Sequence, residues 1–343
     1  MTEELSQLST RIASALTRHT GGAVTVRNLK PLHGGACQDN YRVDLTFSSG
    51  PLRGERRLAL RSDAKQSLPG SINRQREFDV IAAAVQAGVR TPAAHFFELG
   101  LVREGAGAYF LDWIDGEAIG RRVVRNPELA QARTSLPDEL GAQLARIHSV
   151  TPQNTPRPLF GDDVAWRQGA AQASLAALRR MTDALPEVHP AVEVALRWLE
   201  DHVPARNEIT LVHGDYRTGN FMVTPQGLSG VLDWEFAHWG DPMEDLAWIS
   251  VRDWRFGVLD QPVGGFSRRE PFYAAYEKAS GRTVDTRAVR YWEVMGNVRW
   301  AVGSVYQGER YLGGQESDLE LIAIARRAVE MEHEALRLIR KGA

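Results

Sequence analysis

Carboxylate and amide side chains follow two short apolar runs in the middle of the chain. His213 and Asp215 come directly after the run at residues 209–212, Asn220 lies five residues beyond Asp215, and Asp233 ends the second run. Transfer of a phosphoryl group needs a carboxylate that orients the acceptor hydroxyl, and it needs oxygen ligands for magnesium. Asp215, Asn220 and Asp233 could supply both, although Asp and Asn that follow a strand are often only turn formers.

The spacing of these residues also resembles a known pattern. His213-x-Asp215-x4-Asn220, followed by an Asp-Trp-Glu segment that begins at Asp233, is similar to the catalytic and metal-binding motifs of the aminoglycoside phosphotransferase family. The resemblance implies that Asp215 is the catalytic base, that Asn220 and Asp233 are ligands of Mg²⁺, and that His213 orders the loop. ATP is the phosphoryl donor that this family implies.

Further polar residues lie close to this motif in the sequence. Arg217 stands where a protein kinase has a lysine near the transferred phosphoryl group, so it is a candidate stabiliser of developing charge. Asp241, the proline after it and Glu244 form a typical helix start, which assigns both acids mainly to capping. Asp245 resembles the second acidic position of the family's Gly-Asp-Pro-x-x-Asp-Leu segment, which implies that it braces the catalytic loop.

The first hundred residues contain candidates for holding the nucleotide phosphates. Gly34 and Gly35 lie between two strand-like runs, where a turn could bring N–H groups against phosphate, but paired glycines often mark only a hairpin turn. Arg61 ends the Leu-Ala-Leu-Arg run, where kinase-like proteins usually carry a lysine, and Lys65 is a nearby rival. Glu77 fits the helix glutamate that pairs with that cation, although it could also be a solvated side chain.

A short segment resembles the hinge between the two lobes of kinase-like proteins. It reads Tyr-Phe-Leu-Asp-Trp-Ile-Asp-Gly and ends at residue 116. The resemblance implies that the backbone at Asp112 and Ile114 meets the purine edge of ATP.

The order of sequence patterns predicts an α+β fold with two lobes. Alternating apolar residues and one helical stripe predict a five-stranded antiparallel sheet with one helix, preceded by a short N-terminal helix, over residues 1–111. Residues 112–116 form the hinge, and residues 117–343 are predicted to be mostly helical, with one long helix over 317–339. The resemblance implies a protein kinase-like fold with ATP in the cleft between the lobes.

Composition limits the classes of partner. The chain has 343 residues, a net charge of −2 and one cysteine, and it contains no apolar stretch of the roughly 18 to 20 residues that cross a bilayer. These features argue against nucleic-acid and membrane partners and against an internal disulfide bond, so we expect a cytoplasmic protein. They leave the oligomeric state open.

The predicted function is an ATP-dependent kinase that acts on a hydroxyl group of a small molecule. Residues 251–343 carry fifteen Lys and Arg and thirteen Asp and Glu, a balance that favours a neutral or anionic acceptor over a polycationic aminoglycoside. The runs LRSDAKQSLPG and LVHGDYRTGNFMV resemble phosphotransferase domains linked to acyl-CoA dehydrogenases, which implies a hydroxyacyl-CoA acceptor. Antibiotic phosphorylation and a regulatory pseudokinase, suggested by Arg61, are the alternatives. A protein kinase is disfavoured because Asp-Trp-Glu replaces Asp-Phe-Gly.

Overall fold

The computed structural model describes residues 3–32, 40–63, 68–155, 158–160, 165–205 and 208–341. The chain divides into two compact units. Unit 1 comprises Met1–Gly116 and Ser229–Ala237, and unit 2 comprises Glu117–Leu228 and His238–Ala343. A short segment from the second half of the chain therefore belongs to the N-terminal unit.

Unit 1 is built around an antiparallel sheet, as the sequence predicts. Its strands lie in the order β1-β2-β3-β5-β4, and β1, β2 and β3 are consecutive neighbours. The elements are α1 (Glu3–Thr20), β1 (Val24–Pro31), β2 (Asn40–Phe47), β3 (Gly54–Ser62), α2 (Arg74–Gln86), β4 (Ala94–Leu99) and β5 (Gly107–Asp112).

The core of unit 1 follows from the two periodicities in its sequence. Val43 and Leu45 alternate along β2 with more exposed residues, so their side chains share the buried face of the sheet. Leu8, Ile12 and Leu16 lie on one face of α1 and join the same apolar cluster. Burial of each such side chain contributes about 1.5–3 kcal/mol before conformational entropy is subtracted, so α1 anchors the sheet.

The polar residues of unit 1 are positioned by a helix start and a returning segment. The Asn73 side chain accepts a hydrogen bond from the N–H of Arg76 and caps α2, so Glu77 lies in the first turn of that helix. The returning segment is fixed by backbone hydrogen bonds from Ile72 N to Glu235 O (2.7 Å) and from Val231 N to the carbonyl oxygen of Arg90 (2.8 Å). These contacts hold residues 229–237 against the chain on either side of α2.

Unit 2 is mostly helical. Its helices are α3 (Gly120–Arg125), α4 (Ala130–Ile147), α5 (Ala170–Asp183), α6 (Pro190–Asp201), α7 (Pro242–Trp248), α8 (Arg269–Ser280), α9 (Thr286–Leu312), α10 (Glu320–Ala325) and α11 (Ala328–Arg340). The strands are β6 (Thr210–Val212), β7 (Phe221–Thr224), β8 (Gly227–Val231), which runs on into unit 1, and β9 (His238–Gly240). β6 pairs antiparallel with β9, and residues 213–220, which the sequence predicts to be the catalytic loop, follow β6 directly.

The prediction of one long helix over residues 317–339 is wrong. The chain forms α10 and α11 instead, separated by a turn at Arg326 and Arg327. Both helices pack against α9, and the guanidinium of Arg327 pairs with Asp253 at 2.5 Å. No glycine or proline interrupts the helical pattern there, so no local helix breaker accounts for the turn.

Across the described ranges, every helix is too short or too polar to span a lipid bilayer.

Candidate active site

The carboxylate of Asp215 receives three side-chain donors. Asn220 Nδ2 lies 2.6 Å from Oδ2, Trp248 Nε1 lies 2.7 Å from Oδ1, and Arg217 Nε lies 2.9 and 3.1 Å from the two oxygens. Asp215 is buried, so these hydrogen bonds act where water screens them little. They fix the orientation of the carboxylate that the sequence predicts to be the base.

Arg217 is the most accessible of the three donors. Its side chain is 24% exposed, whereas Trp248 and Asn220 are buried. The guanidinium also stacks on the ring of Trp254 at 4.2 Å, a contact that stabilises a cation independently of the carboxylate. Arg217 is therefore the donor that an incoming hydroxyl group could most readily replace.

Asp245 holds the start of the catalytic loop. Its carboxylate accepts the backbone N–H of His213 at 2.7 Å and that of Gly214 at 3.0 Å. Inside the loop, the His213 ring lies 3.3 Å from the backbone nitrogen of Asp215 and accepts its hydrogen bond at Nδ1. The loop conformation thus depends on backbone donors that the two side chains satisfy.

A buried histidine completes this support. His148 Nε2 lies 3.2 Å from Asp245, and its Nδ1 lies 2.9 Å from the hydroxyl of Tyr276. Burial alone would raise the pKa of Asp245, but the hydrogen bonds that it accepts from the His148 ring and from the backbone N–H of His213 bring it below its usual value. Burial also lowers the pKa of His148, which Asp245 offsets only in part. The geometry fits a neutral imidazole that donates to Asp245 and accepts from Tyr276.

Arg299 braces the same loop from α9. Its guanidinium donates to the Gly214 carbonyl at 2.6 Å and to Glu244 at 3.0 Å, and it lies 4.1 Å from the centre of the Trp248 ring.

Asp241 caps α7 through the N–H of Met243, which sets the direction of that helix and hence of Trp248. The sequence alone did not predict the contacts of Trp248, Arg299 and His148 at the catalytic loop.

Unit 1 contains a second polar cluster around Arg61. A single nitrogen, Nη2, donates to Glu77 at 3.0 Å and to Asp233 at 2.8 Å. Arg74 forms a very short contact with Glu77 and lies 3.3 Å from Glu235. Two arginines thus alternate with three carboxylates. The sequence could have indicated the pairing of Arg74 with Glu77, because side chains three residues apart on a helix lie next to each other.

Burial and the neighbouring charges shift the pKa values of Arg61 and Glu235. Burial opposes the charged form of Arg61, but Glu77 and Asp233 outweigh it, so the pKa of this guanidinium lies well above its usual value. Burial, and then the neighbouring Asp233, raises the pKa of Glu235 to about 7. A fixed positive charge on Arg61 suits the binding of phosphate oxygens.

The predicted magnesium ligands offer suitable donor atoms. Asp233 is a carboxylate held at φ 67°, a backbone region that costs a non-glycine residue about 1 kcal/mol or more. The amide nitrogen of Asn220 is bonded to Asp215, which leaves its amide oxygen as the atom for a cation. Carboxylate and amide oxygens fit Mg²⁺. Within the residues that can be described, His, Cys, Asp and Glu side chains form no metal-binding group of three or more.

The hinge residues lie at the end of unit 1's sheet. The N–H of Asp112 donates to the Ala93 carbonyl at 3.0 Å, so this N–H is not free for a purine. The Asp112 side chain lies 2.9 Å from His95 Nε2. Ile114 is half-buried beside Gly230, where a Cβ would meet it at 2.7 Å. The predicted phosphate-binding glycines Gly34 and Gly35, together with Cys37 and Lys65, lie outside the described residues.

Comparison with known proteins identifies the family. The phosphotransferase enzyme family matches residues 28–290. The chain belongs to the phosphotransferase enzyme family. This confirms the prediction of an enzyme that transfers a phosphoryl group to a hydroxyl group.

Proteins similar to this phosphotransferase share part of its sequence or its fold. Acyl-CoA dehydrogenase family member 10 of Mus musculus is 30% identical over 205 residues, which are 57% of this chain but only 18% of that protein. A structure from Ralstonia eutropha, provisionally named an aminoglycoside phosphotransferase, has a TM-score of 0.75 at 20% identity and covers 97% of this chain and 98% of its own.

A choline kinase, LicA from Streptococcus pneumoniae, has a TM-score of 0.60 at 17% identity, covering 96% of this chain and 99% of its own. These structural similarities, together with the antiparallel sheet and the helix-rich unit, confirm the predicted kinase-like α+β fold. The chain spans about a fifth of the length of the mouse relative, so the activity of that whole protein does not pass to this phosphotransferase.

Proposed function

We propose that this protein is an ATP- and Mg²⁺-dependent kinase that phosphorylates a hydroxyl group of a small anionic metabolite, such as a hydroxyacyl-CoA. The observation that carries the proposal is the buried Asp215 carboxylate, which Asn220 and Trp248 hold in place while the accessible Arg217 occupies its remaining face. This arrangement has one replaceable donor on an otherwise fixed base.

The acceptor hydroxyl would take the place of Arg217 at Asp215. Asp215 would then orient the hydroxyl oxygen and accept its proton, while Trp248 and Asn220 keep the carboxylate in position. Arg217 would remain stacked on Trp254 and direct its guanidinium toward the charge that develops in transfer. Bound ATP with its magnesium would supply the phosphoryl group.

The residues of unit 1 would serve the nucleotide. Arg61 would bind phosphate oxygens, and Glu77 would hold its guanidinium in place. Asp233 and Asn220 are the proposed oxygen ligands of Mg²⁺. Binding of the cation to Asp233 would compete with the ion pair between Asp233 and Arg61 and so release Arg61 for phosphate. The AMP and ADP complexes of structurally similar proteins support a nucleotide as the donor.

The residues beside the base favour an anionic acceptor. Arg217 and Arg299 have partly exposed side chains, and they stack on Trp254 and Trp248, respectively. Cations over apolar rings suit a ligand that combines an acid with an apolar portion. The relatives named acyl-CoA dehydrogenase family members 10 and 11 point to acyl-CoA chemistry.

A matched substrate panel tests the proposal. ADP release would be measured with hydroxyacyl-CoAs, with the same acyl-CoAs that lack the hydroxyl, with free hydroxy acids, and with choline and kanamycin. The proposal predicts turnover that requires the hydroxyl group and is fastest with the anionic acceptors. Robust turnover of kanamycin or choline would overturn the acceptor class. Nucleotide binding with no turnover of any compound would favour the pseudokinase alternative.

A further inference from the structure

An open cavity of about 600 Å³ lies in unit 2, and residues 213–220 of the predicted catalytic loop do not line it. Its walls are formed by the start of α8, the start of α9, the end of α11 and residues 255–262. Six cationic side chains line it, against three carboxylates. The cations are Arg255, Arg268, Arg269, Arg290, Arg337 and Lys341.

Half of these cations pair with two buried glutamates. Glu293 pairs with Arg255 at 3.1 Å and with Arg269 at 2.8 Å. Glu334 pairs with Arg255 at 3.1 Å and with Arg337 at 2.5 Å. Three guanidinium groups thus share two carboxylates, which fixes their positions and leaves positive charge at the cavity wall.

The other cations have no carboxylate partner among the residues described. Arg290 donates to the carbonyls of Leu338 and Ile339 at the end of α11 and lies 5.5 Å from the centre of the Trp198 ring, and none of these partners carries a formal negative charge. Arg268 and Lys341 are exposed at the cavity and make no ion pair within the described part of the chain. Such a surplus of positive charge in a concave site attracts polyanions.

The lining also has an apolar part. Leu259, Val289 and Leu338 contribute aliphatic surface, and Tyr273 contributes a ring. Arginines fixed by carboxylates and beside apolar surface suit a phosphate group attached to a less polar body.

We propose that this cavity is a second ligand site, which binds a small molecule that carries one or more phosphate groups. The site is additional to the proposed function and does not depend on it. Its wall is nevertheless linked to the catalytic loop, because Arg255 directly follows Trp254, whose ring supports Arg217. The phosphate could belong to the distal part of the acceptor or to a separate effector.

Pyrophosphate binding measured by calorimetry tests the site without any turnover. The charge-reversal variant Arg268→Glu/Lys341→Glu changes two exposed, unpaired side chains at the cavity. The matched control Lys278→Glu/Arg326→Glu makes the same change in net charge at exposed positions that do not line it. We expect the cavity variant to weaken pyrophosphate binding by about tenfold or more and the control to change it by less than about threefold.

The opposite change sharpens the test. Asp260→Asn/Glu270→Gln removes two of the lining carboxylates and should tighten pyrophosphate binding. Equal affinity in all variants, binding that does not saturate, or a loss that occurs in Arg61→Ala instead would overturn the proposal.

Competition with coenzyme A distinguishes the two sources of the phosphate. If coenzyme A displaces pyrophosphate in the wild type and loses affinity in the cavity variant, the site holds the phosphates of a CoA-type acceptor. If both bind together and only pyrophosphate responds to the variant, the site holds a separate anion. Both results support a phosphate site in this cavity.

Discussion

Replacement of Arg61 by lysine should preserve most of the contribution of this position to stability and to ATP binding. Both of its ion pairs are made by one nitrogen, Nη2, which donates to Glu77 and to Asp233. A lysine ammonium has three donors on one nitrogen and could make the same two contacts. The structure shows no bidentate contact between Arg61 and either carboxylate, so a lysine at this position loses no paired guanidinium contact.

The expected magnitudes follow from burial and partners. Loss of one partner from a buried ion pair costs about 3–5 kcal/mol, and Arg61→Met should lie near 3 kcal/mol because Glu77 keeps its contact with Arg74. Lysine is about one bond shorter than arginine, which weakens both contacts. The lysine also removes the buried Nε of Arg61, which has no hydrogen-bond partner among the described residues. Such an unsatisfied buried donor costs about 1–3 kcal/mol, so its removal offsets part of the loss. We therefore expect Arg61→Lys to lose about 1 kcal/mol or less.

Urea unfolding followed by tryptophan fluorescence would measure these differences, and the KM for ATP would be determined on the same proteins. Arg56 is an exposed residue of the same strand that has no carboxylate partner among the residues described, and it provides the matched controls Arg56→Lys and Arg56→Met. Neither control should shift the unfolding midpoint appreciably. An Arg61→Lys protein as unstable and as weak in ATP binding as Arg61→Met would show that a lysine ammonium cannot replace the contacts of the Arg61 guanidinium.

Three further predictions concern the catalytic loop. Asp215→Asn should lower kcat by about 10² to 10⁴ with little change in nucleotide affinity, which single-turnover and binding measurements would check. Trp248→Phe removes the donor at 2.7 Å from Asp215 and should lower kcat about tenfold or more at an unchanged KM for ATP; an unaltered kcat would contradict the role of Trp248. Burial lowers the pKa of His148 in the folded protein below the value of 6.5 that the imidazole has in the unfolded chain. As pH falls through 6.5, the unfolded chain therefore takes up a proton that the folded protein does not. The free energy of unfolding then decreases by up to about 1.4 kcal/mol per pH unit. Denaturation between pH 7 and 5 should therefore show a flatter pH dependence in His148→Gln, and an identical slope would argue against a buried neutral imidazole.

The parts of the site that lie close together in the sequence were predictable from it. His213, Asp215 and Asn220 share one loop between two strands, so their spacing alone brings their side chains together. The periodicities of unit 1 were equally informative, because a half-buried sheet alternates and a covering helix repeats every three or four residues. The family resemblance supplied the pairing of Arg61 with Glu77, which no local pattern requires.

The remaining partners depend on long-range packing. Trp248 and Arg299 reach the loop from α7 and α9, and a tryptophan or arginine in a helix is more often a packing or surface residue than a neighbour of a catalytic base. The return of residues 229–237 to unit 1 likewise depends on backbone hydrogen bonds to distant residues. The break between α10 and α11 was not predictable because no glycine or proline marks it in the sequence.

The proposed role of Asp215 is to direct a phosphoryl group from ATP to a carbon-bound hydroxyl. Phosphorus NMR of a reaction with ATP, Mg²⁺ and a hydroxyacyl-CoA would test this role, with Asp215→Asn as the paired sample. We expect a new phosphate-monoester signal that grows in step with ADP in the wild type and is nearly absent in the variant. ADP that appears only with inorganic phosphate, or an equal ester signal in Asp215→Asn, would contradict it.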